Sequence, residues 1–316
     1  MITEQQRKAR KGHLGSSDVA CLFTDEDGKS LNPFATALDL WVEKYYEVEP
    51  LDETEAMVRG DRYEAALIEY ASYELDCVIE TDPNKMNYIC AKHPIFACNL
   101  DGYTVPDDGS EVCIVEAKTT SMAGEYGEPG TDDVPLRVNL QVHEQMLCTG
   151  FNKAYVVALL GGFRLHEEIY VVERNEKIIT AIVDRGEQFW NEHVLTGIPP
   201  EQNEPGDVSL FKRIVRVPKT FADVPDEVIA DWEETRAARI EAEKAEKAVF
   251  AEVLEHLGDA EGAHMNDGRT FTYFEQNGAD KIDRKAFKQN YPETYAAVTT
   301  PNQFRVARIK KASLTI

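Results

Sequence analysis

The chain has 316 residues, 43% hydrophobic and 29% charged, which suits one or two globular domains with a substantial core. It contains no apolar run of membrane-spanning length, no secretory signal and no closely spaced cysteine pair, so we expect a protein of a reducing cytoplasm without disulfides, a zinc site or membrane contact. The net charge of −23 argues against a generally nucleic-acid-binding surface, although a local basic channel can coexist with an acidic exterior.

In chain order, the first 200 residues alternate helix-like and strand-like segments. Helices are predicted for residues 19–22, for a segment after Asn32-Pro33, for residues 57–75, for a segment from Pro135 to Gly150, and for residues 178–190. Strands are predicted for residues 95–101 and 112–118 and, around a Gly-Gly turn, for residues 154–172. This alternation predicts an α/β domain over residues 1–200, with a central mixed sheet flanked by helices.

The remaining sequence differs in composition. Residues 201–225 are polar and contain prolines, which predicts a linker. Residues 226–257 form a long, highly charged helical segment, and basic residues outnumber acidic ones after Gly258. We therefore predict that residues 226–316 combine a charged helix with a small α+β module.

The two strands at residues 95–101 and 112–118 are predicted to form a hairpin that joins acidic and basic side chains. If its turn centres on Asp108-Gly109, paired residues have numbers that sum to 217, which sets Asp101 opposite Glu116. Because side chains alternate along a strand, Glu116 and Lys118 share one face. Two carboxylates beside an amine can bind a divalent cation and position a water, which suggests a metal-dependent phosphodiesterase. The alternative is an ordinary surface Glu–Lys pair.

Two predicted helices add polar residues on otherwise apolar faces. Glu64 lies on a stripe with Leu67 and Ile68, and Gln141 shares a face with Gln145. Glu64 could instead be a capped polar residue at the edge of its stripe, and Gln141 could hydrogen-bond a neighbouring loop.

Five motifs occur in a recognisable order: Arg10-x-Gly12 with Gly15-Ser16-Ser17-Asp18; Arg59-Gly60-Asp61-Arg62-Tyr63-Glu64; Leu100-Asp101-Gly102; Val115-Glu116-Ala117-Lys118; Gln141-Val142-His143-Glu144-Gln145-Met146. Over residues 1–200 the chain thereby resembles the PD-(D/E)xK nuclease superfamily, and within it the YqaJ-type phage recombination exonucleases related to lambda exonuclease. One departure is Leu100, which stands where the family often has proline. The four-cysteine arrangement of some superfamily members is missing, so no iron–sulfur cluster is expected.

The resemblance implies a restriction-endonuclease-like core and roles for particular residues. Asp101, Glu116 and the Ala117 carbonyl would hold Mg²⁺, for which Mn²⁺ would substitute, and Glu64 would contact a second ion, through water. Lys118 would act on the attacking water, and Gln141 would orient the lysine or the nucleophile. Arg10 and Ser17 would bind the 5′-phosphate of a DNA end.

The resemblance also implies an activity and partners. The expected enzyme degrades the 5′ strand of double-stranded DNA ends and leaves 3′ single strands for an annealing protein. It would act as a homo-oligomer, a trimeric ring, in the cytoplasm of a bacterial host that carries a phage or prophage. Two alternatives are a structure-specific or single-strand nuclease of the same superfamily, and an inactive DNA-end-binding scaffold. The C-terminal module is either a solvated spacer or a contact for DNA or the annealing protein, with Lys310 and Lys311 among the phosphate contacts.

Overall fold

The computed structural model describes residues 10–81, 88–106, 109–161, 165–201, 208–278 and 282–300, together with 305 and 307. The chain divides into two compact units, Met1–Thr220 and Phe221–Ile316. Within the described residues, no helix is both long enough and apolar enough to cross a membrane.

The first unit is built on a five-stranded mixed sheet. The strands of this unit are β1 (Val78–Glu80), β2 (Tyr88–Ile89), β3 (Ala97–Cys98), β4 (Gly102–Val105), β5 (Ile114–Thr120), β6 (Lys153–Leu160) and β7 (His166–Glu173). Strands β2 and β3 form a separate two-stranded pair. The order is β1-β4-β5-β6-β7, in which only β5 and β6 run parallel. The predicted α/β fold with a central mixed sheet is confirmed.

The five predicted helices of the first unit are present, and two further helical segments, Val208–Lys212 and Ala123–Glu125, lie where none was predicted. They are α1 (Ala37–Tyr45), α2 (Glu55–Glu74), α3 (Leu136–Thr149), α4 (Glu176–Phe189) and α5 (Val208–Lys212), with a short 3-10 helix at Val19–Leu22, another at Ala123–Glu125 and a π-helical turn at Trp190–Val194. A capping box between Thr36 and Asp39 starts α1. Gly150 ends α3 with a positive φ of 79°, a conformation that favours glycine.

Helices cover both faces of this sheet. On one face, α2 packs Leu67, Ile68 and Ala71 against β5 and β6. On the other face, α3 buries Val138, Val142 and Met146 against the same strands. A third apolar cluster joins α1, α4 and the first 3-10 helix beside the sheet. The central strand β5 is therefore covered on both faces, and the carboxylate of Glu116 on this strand is buried.

The central hairpin has the predicted register but shorter arms. Gly102 pairs with Val115 and Tyr103 with Ile114, so partner numbers sum to 217. The arms are Gly102–Val105 and the start of β5, not residues 95–101 and 112–118; Ala97–Cys98 pairs with β2 instead. Asp107 and Asp108, part of the predicted turn, lie outside the described residues. Asp101 therefore precedes the ladder at the point where pairing with β5 begins.

Part of the segment assigned to a linker packs on the first unit. Leu210 on α5 and Ile214 are buried in the apolar cluster that contains α1, and Ile214 forms a β-bridge with Val48. Two apolar side chains four residues apart are enough to dock this short helix, although the surrounding sequence is polar.

The second unit contains α6 (Asp226–Leu257), a hairpin of β8 (Gly262–His264) and β9 (Thr270–Thr272), and the short helices α7 (Arg284–Asn290) and α8 (Pro292–Val298). None of the residues of α6 is buried. Lys310 and Lys311, the predicted phosphate contacts, lie outside the described residues.

Candidate active site

Lys118 lies at the centre of a polar cluster on the face of β5 that α3 covers. Its Nζ donates to Glu116 Oε1 at 2.6 Å and to Gln141 Oε1 at 2.8 Å. Gln141 in turn donates from Nε2 to Glu116 Oε1 at 2.6 Å. Strand alternation puts Glu116 and Lys118 on one face, and α3 brings the amide of Gln141 onto that face. These three side chains form a closed ring of hydrogen bonds.

Gln145 is a member of the site to which the sequence analysis gave no role. Its Nε2 donates to Glu116 Oε2 at 2.6 Å, and its side chain is fully buried. Gln141 and Gln145 are one helical turn apart on α3, so each amide reaches one oxygen of the same carboxylate. The signal was present in the sequence as a second glutamine at the i+4 position. Its partner could not be inferred without the helix–sheet packing.

Asp101 approaches the cluster from the end of the hairpin. Its Oδ2 accepts a hydrogen bond from the Ala117 backbone N–H at 2.9 Å. Burial, followed by the negative charge of Glu116, raises the pKa of Asp101 to about 7. The next residue must be small, because a Cβ on Gly102 would lie 2.8 Å from the side chain of Ile79. Because Gly102 has no side chain, Ile79 of β1 can pack closely against this position.

Two further oxygen donors face Asp101. Because the N–H and C=O of one strand residue point to the same side, the Ala117 carbonyl is directed to the edge where Asp101 accepts the Ala117 N–H. Glu64, half-buried on α2, is close enough for its charge to raise the pKa of Asp101. The predicted set of Glu64, Asp101, Glu116 and the Ala117 carbonyl is therefore brought together from α2, the hairpin and β5.

The charge on Lys118 is retained in this environment. Burial lowers the pKa of Lys118, but the carboxylates of Glu116 and Asp101 outweigh burial and raise it above the ordinary lysine value. The side chain is 26% exposed, so the ammonium is reachable from solvent.

Arg10 and Ser17 are also neighbours, in a second polar cluster. Arg10 Nη2 donates to Ser17 Oγ at 3.2 Å and lies 3.8 Å from Asp18 Oδ1. Behind them, Lys44 Nζ donates to Asp18 Oδ2 at 2.7 Å and to the Arg10 carbonyl at 2.9 Å. The buried Lys44–Asp18 pair fixes the loop that presents Arg10 and Ser17, whose polar atoms face outward on an otherwise acidic protein.

On the mixed sheet, Asp101 meets a strand that carries Glu116-x-Lys118, the arrangement expected from the PD-(D/E)xK resemblance. Residues 6–152 match the family model described as the YqaJ-like viral recombinase domain, and every site residue named above lies within them. This match confirms the resemblance that the sequence motifs indicate.

A curated relative and several solved structures are similar to the chain. The "Uncharacterized protein YqaJ" of Bacillus subtilis (strain 168) is 24% identical over 96% of this chain and 92% of the relative. An alkaline exonuclease from Laribacter hongkongensis is 18% identical, with a TM-score of 0.46 over 62% of this chain and 94% of its own. A phage-related exonuclease from Haemophilus somnus 129PT is 11% identical, with a TM-score of 0.42 over 58% of this chain and 96% of its own.

Proposed function

We propose that this protein is a Mg²⁺-dependent exonuclease that degrades the 5′ strand of double-stranded DNA ends and leaves 3′ single strands for an annealing protein. The observation that carries the proposal is the Lys118 ammonium held at 2.6 Å from Glu116 and 2.8 Å from Gln141, beside Asp101. The match to a viral recombinase domain supports a role in recombination. By the family resemblance, the proposal includes a homo-oligomeric ring, a trimer, in the cytoplasm of the bacterial host.

The donor set fits a hard divalent cation. Mg²⁺ prefers carboxylate and carbonyl oxygens, and here Asp101, Glu116 and the Ala117 carbonyl would hold it, with Glu64 contributing through water. Burial, and after it the negative charge of Glu116, raises the pKa of Asp101, and a divalent cation bound to both carboxylates would neutralise that charge. When bound, the cation would supply charge neutralisation at the phosphoryl oxygens and assistance to the leaving alkoxide.

Lys118 would provide a fixed positive charge for the attack on phosphorus. As an ammonium it would orient the water and stabilise developing negative charge, and after the cation neutralises the carboxylates that raise its pKa it could instead accept the proton of the water. Gln141 orients the ammonium because its side-chain oxygen accepts a hydrogen bond from Lys118 Nζ. Gln145 and Gln141 together hold the Glu116 carboxylate in one orientation by donating to its two oxygens.

The Mg²⁺ requirement should depend on pH. A cation must displace the proton of Asp101, whose pKa is about 7, so its apparent affinity falls as the pH decreases through that value. The Mg²⁺ concentration for half-maximal nucleotide release should therefore be about tenfold higher at about pH 6 than at about pH 8. Measuring rate against Mg²⁺ concentration at each pH tests this. Equal Mg²⁺ requirements at the two pH values would contradict competition between the proton and the cation for Asp101.

A 5′-end preference would come from Arg10 and Ser17. A guanidinium and a hydroxyl held 3.2 Å apart can both donate to one terminal phosphate, and Lys44 adds positive charge behind them. With an overall charge of −23, binding of DNA depends on local basic sites of this kind.

Strand polarity can be measured with linear duplexes blocked at either their 5′ or their 3′ ends. We expect release from the 3′-blocked duplex only. With open ends, Arg10→Ala should slow the 5′-phosphorylated duplex by about ten- to a hundredfold, the value of one hydrogen bond to a charged group, and the 5′-hydroxyl duplex less. Lys11→Ala is the matched control, since Lys11 is 38% exposed against 40% for Arg10 and also pairs with an acidic side chain.

The same experiment separates the alternatives. Cleavage of the 5′-blocked duplex, or of circular or single-stranded DNA, would favour a structure-specific or single-strand nuclease. Binding of ends without release at any Mg²⁺ or Mn²⁺ concentration would favour an inactive scaffold. The C-terminal unit is proposed to contact DNA or the annealing protein.

A further inference from the structure

Three side chains that the proposed nuclease reaction does not use meet beneath α3. The thiols of Cys98 and Cys148 and the carboxylate of Glu144 lie within 4.8 Å of one another. Cys98 is on β3, whereas Glu144 and Cys148 are one helical turn apart on α3. Cys148 Sγ and Glu144 Oε1 are 3.2 Å apart.

Glu144 is the unusual member of this cluster. Its side chain is 0% exposed, and among the described residues its Oε2 has no hydrogen-bond partner. A buried carboxylate that lacks both an opposite charge and a full set of donors is strongly destabilising. In agreement, burial raises the pKa of Glu144 well above the ordinary value. Glu144 therefore combines one oxygen in contact with the Cys148 thiol and a second, buried oxygen without a partner, a carboxylate that a bound cation would stabilise.

Cys90 is a nearby candidate for a fourth donor, although its sulfur lies outside the group of three ligand atoms within 4.8 Å of one another. It continues the β2–β3 ladder, donating its N–H to the Phe96 carbonyl at 3.0 Å, and Tyr88 pairs with Cys98 in the same ladder. Since residues two apart on a strand share a face, Cys90 and Cys98 project on the same side. The sulfur of Cys90 is close enough to act electrostatically on Cys98, Glu144 and Cys148.

We propose that Cys90, Cys98, Cys148 and Glu144 form a buried tetrahedral site for a single Zn²⁺ ion, separate from the catalytic cation site. Thiolates select Zn²⁺ over Mg²⁺, and structural zinc sites use four protein ligands. Two sulfurs bound to one zinc at about 2.3 Å are roughly 3.8 Å apart, a spacing that Cys98 and Cys148 already approach, whereas the Cys90 side chain must move toward them. Three thiolates and one carboxylate carry the same formal charge as the four thiolates of a Cys₄ zinc site.

Such an ion would link the two elements that position the catalytic groups. Cys98 precedes Asp101 by three residues, and α3 carries Gln141 and Gln145 together with Glu144 and Cys148. Gln145 Nε2 already lies 3.4 Å from the Asn99 carbonyl on the connecting segment. The zinc would therefore fix the spacing between the hairpin and α3 without touching substrate.

The test is metal analysis of the full-length protein, produced with Zn²⁺ under reducing conditions and dialysed against Mg²⁺. We expect about one zinc per chain in wild type and in Asp101→Asn, whose catalytic cation site is impaired. Glu144→Gln and Cys148→Ser should weaken zinc binding by about a hundredfold or more in competition with a chelator. Cys113→Ser is the matched control, because Cys113 is also buried but lies outside the cluster. Co²⁺ substitution should give a thiolate-to-cobalt charge-transfer band in wild type that Cys148→Ser diminishes.

Three results would overturn the site. They are wild-type protein without stoichiometric zinc and with all six thiols titratable, iron with acid-labile sulfide, and a Cys98–Cys148 disulfide in the metal-free protein. Loss of zinc from Asp101→Asn alone would also overturn it, by assigning the ion to the catalytic site. If Cys148→Ser is insoluble, Glu144→Gln decides, since it preserves the shape of the side chain and removes only its charge. Nuclease activity is not a readout, so this proposal can fail while the proposed function stands.

Discussion

Replacement of Lys118 by alanine should lower the rate of nucleotide release from linear duplex by about a thousandfold, with duplex binding nearly unchanged. The ammonium is the group that would face charge developing at phosphorus, and no other described side chain donates to both Glu116 and Gln141. The fold should survive, because Gln141 and Gln145 still donate to the two oxygens of Glu116. Single-turnover release at saturating Mg²⁺ is the measurement.

Lys153→Ala is the control for this experiment. Lys153 is on the neighbouring strand β6, is 27% exposed against 26% for Lys118, and pairs with Glu111 at 3.6 Å. It should keep the wild-type rate. Equal release by wild type and Lys118→Ala would end the assignment of this cluster as the catalytic site, whatever the behaviour of the control.

Replacement of Asp101 by asparagine should have opposite effects on activity and stability. Removing the carboxylate should reduce nucleotide release by about a thousandfold, since several kcal/mol of charge stabilisation depend on a correctly held cation. In metal-free buffer at about pH 8, the same change should raise the Tm of the first unit by roughly 2–4 °C, the shift that about 1 kcal/mol gives a domain of this size. The asparagine carbonyl can still accept the Ala117 N–H, so the hairpin is kept.

The sign of the stability effect follows from the raised pKa. Between the ordinary carboxyl value of 3.8 and about 7, the folded protein binds a proton at Asp101 that the unfolded chain has released, so stability decreases as the pH rises through this window. Below about pH 4, where Asp101 is protonated in both the folded and the unfolded chain, the variant and the wild type should therefore unfold at similar temperatures. Asp184→Asn, an exposed position on α4, should change neither activity nor Tm. If the wild type had a higher Tm than Asp101→Asn at about pH 8 without metal, ionised Asp101 would not destabilise the folded protein, which would contradict this prediction.

Local patterns in the sequence were enough to predict most elements and the register of the central hairpin. The register could be predicted because the Asp-Gly turn fixes which residues face each other, and 102 with 115 is the pairing found. The extent of the arms could not be predicted. Ala97–Cys98 is as strand-like as Gly102–Val105, and only packing decides that it pairs with β2.

The buried segment after residue 200 shows the same limit. Polar and proline-containing sequence around residues 201–225 is typical of a linker, yet Leu210 and Ile214 pack into the cluster beside α1. One buried apolar residue on a short helix and another just beyond its end give too weak a periodic signal to predict docking.

The convergence of Asp101, Glu116 and Lys118 follows from the sequence alone, because strand alternation and turn position are properties of neighbouring residues. The order of motifs that resembles the YqaJ family can also be recognised in the sequence. The contact of Gln145 with the second oxygen of Glu116, and that of Cys98 with Glu144 and Cys148, could be identified only in the folded chain. Those contacts join a strand or hairpin to α3 across long stretches of chain. They depend on how a helix is seated on the sheet, which no local pattern encodes.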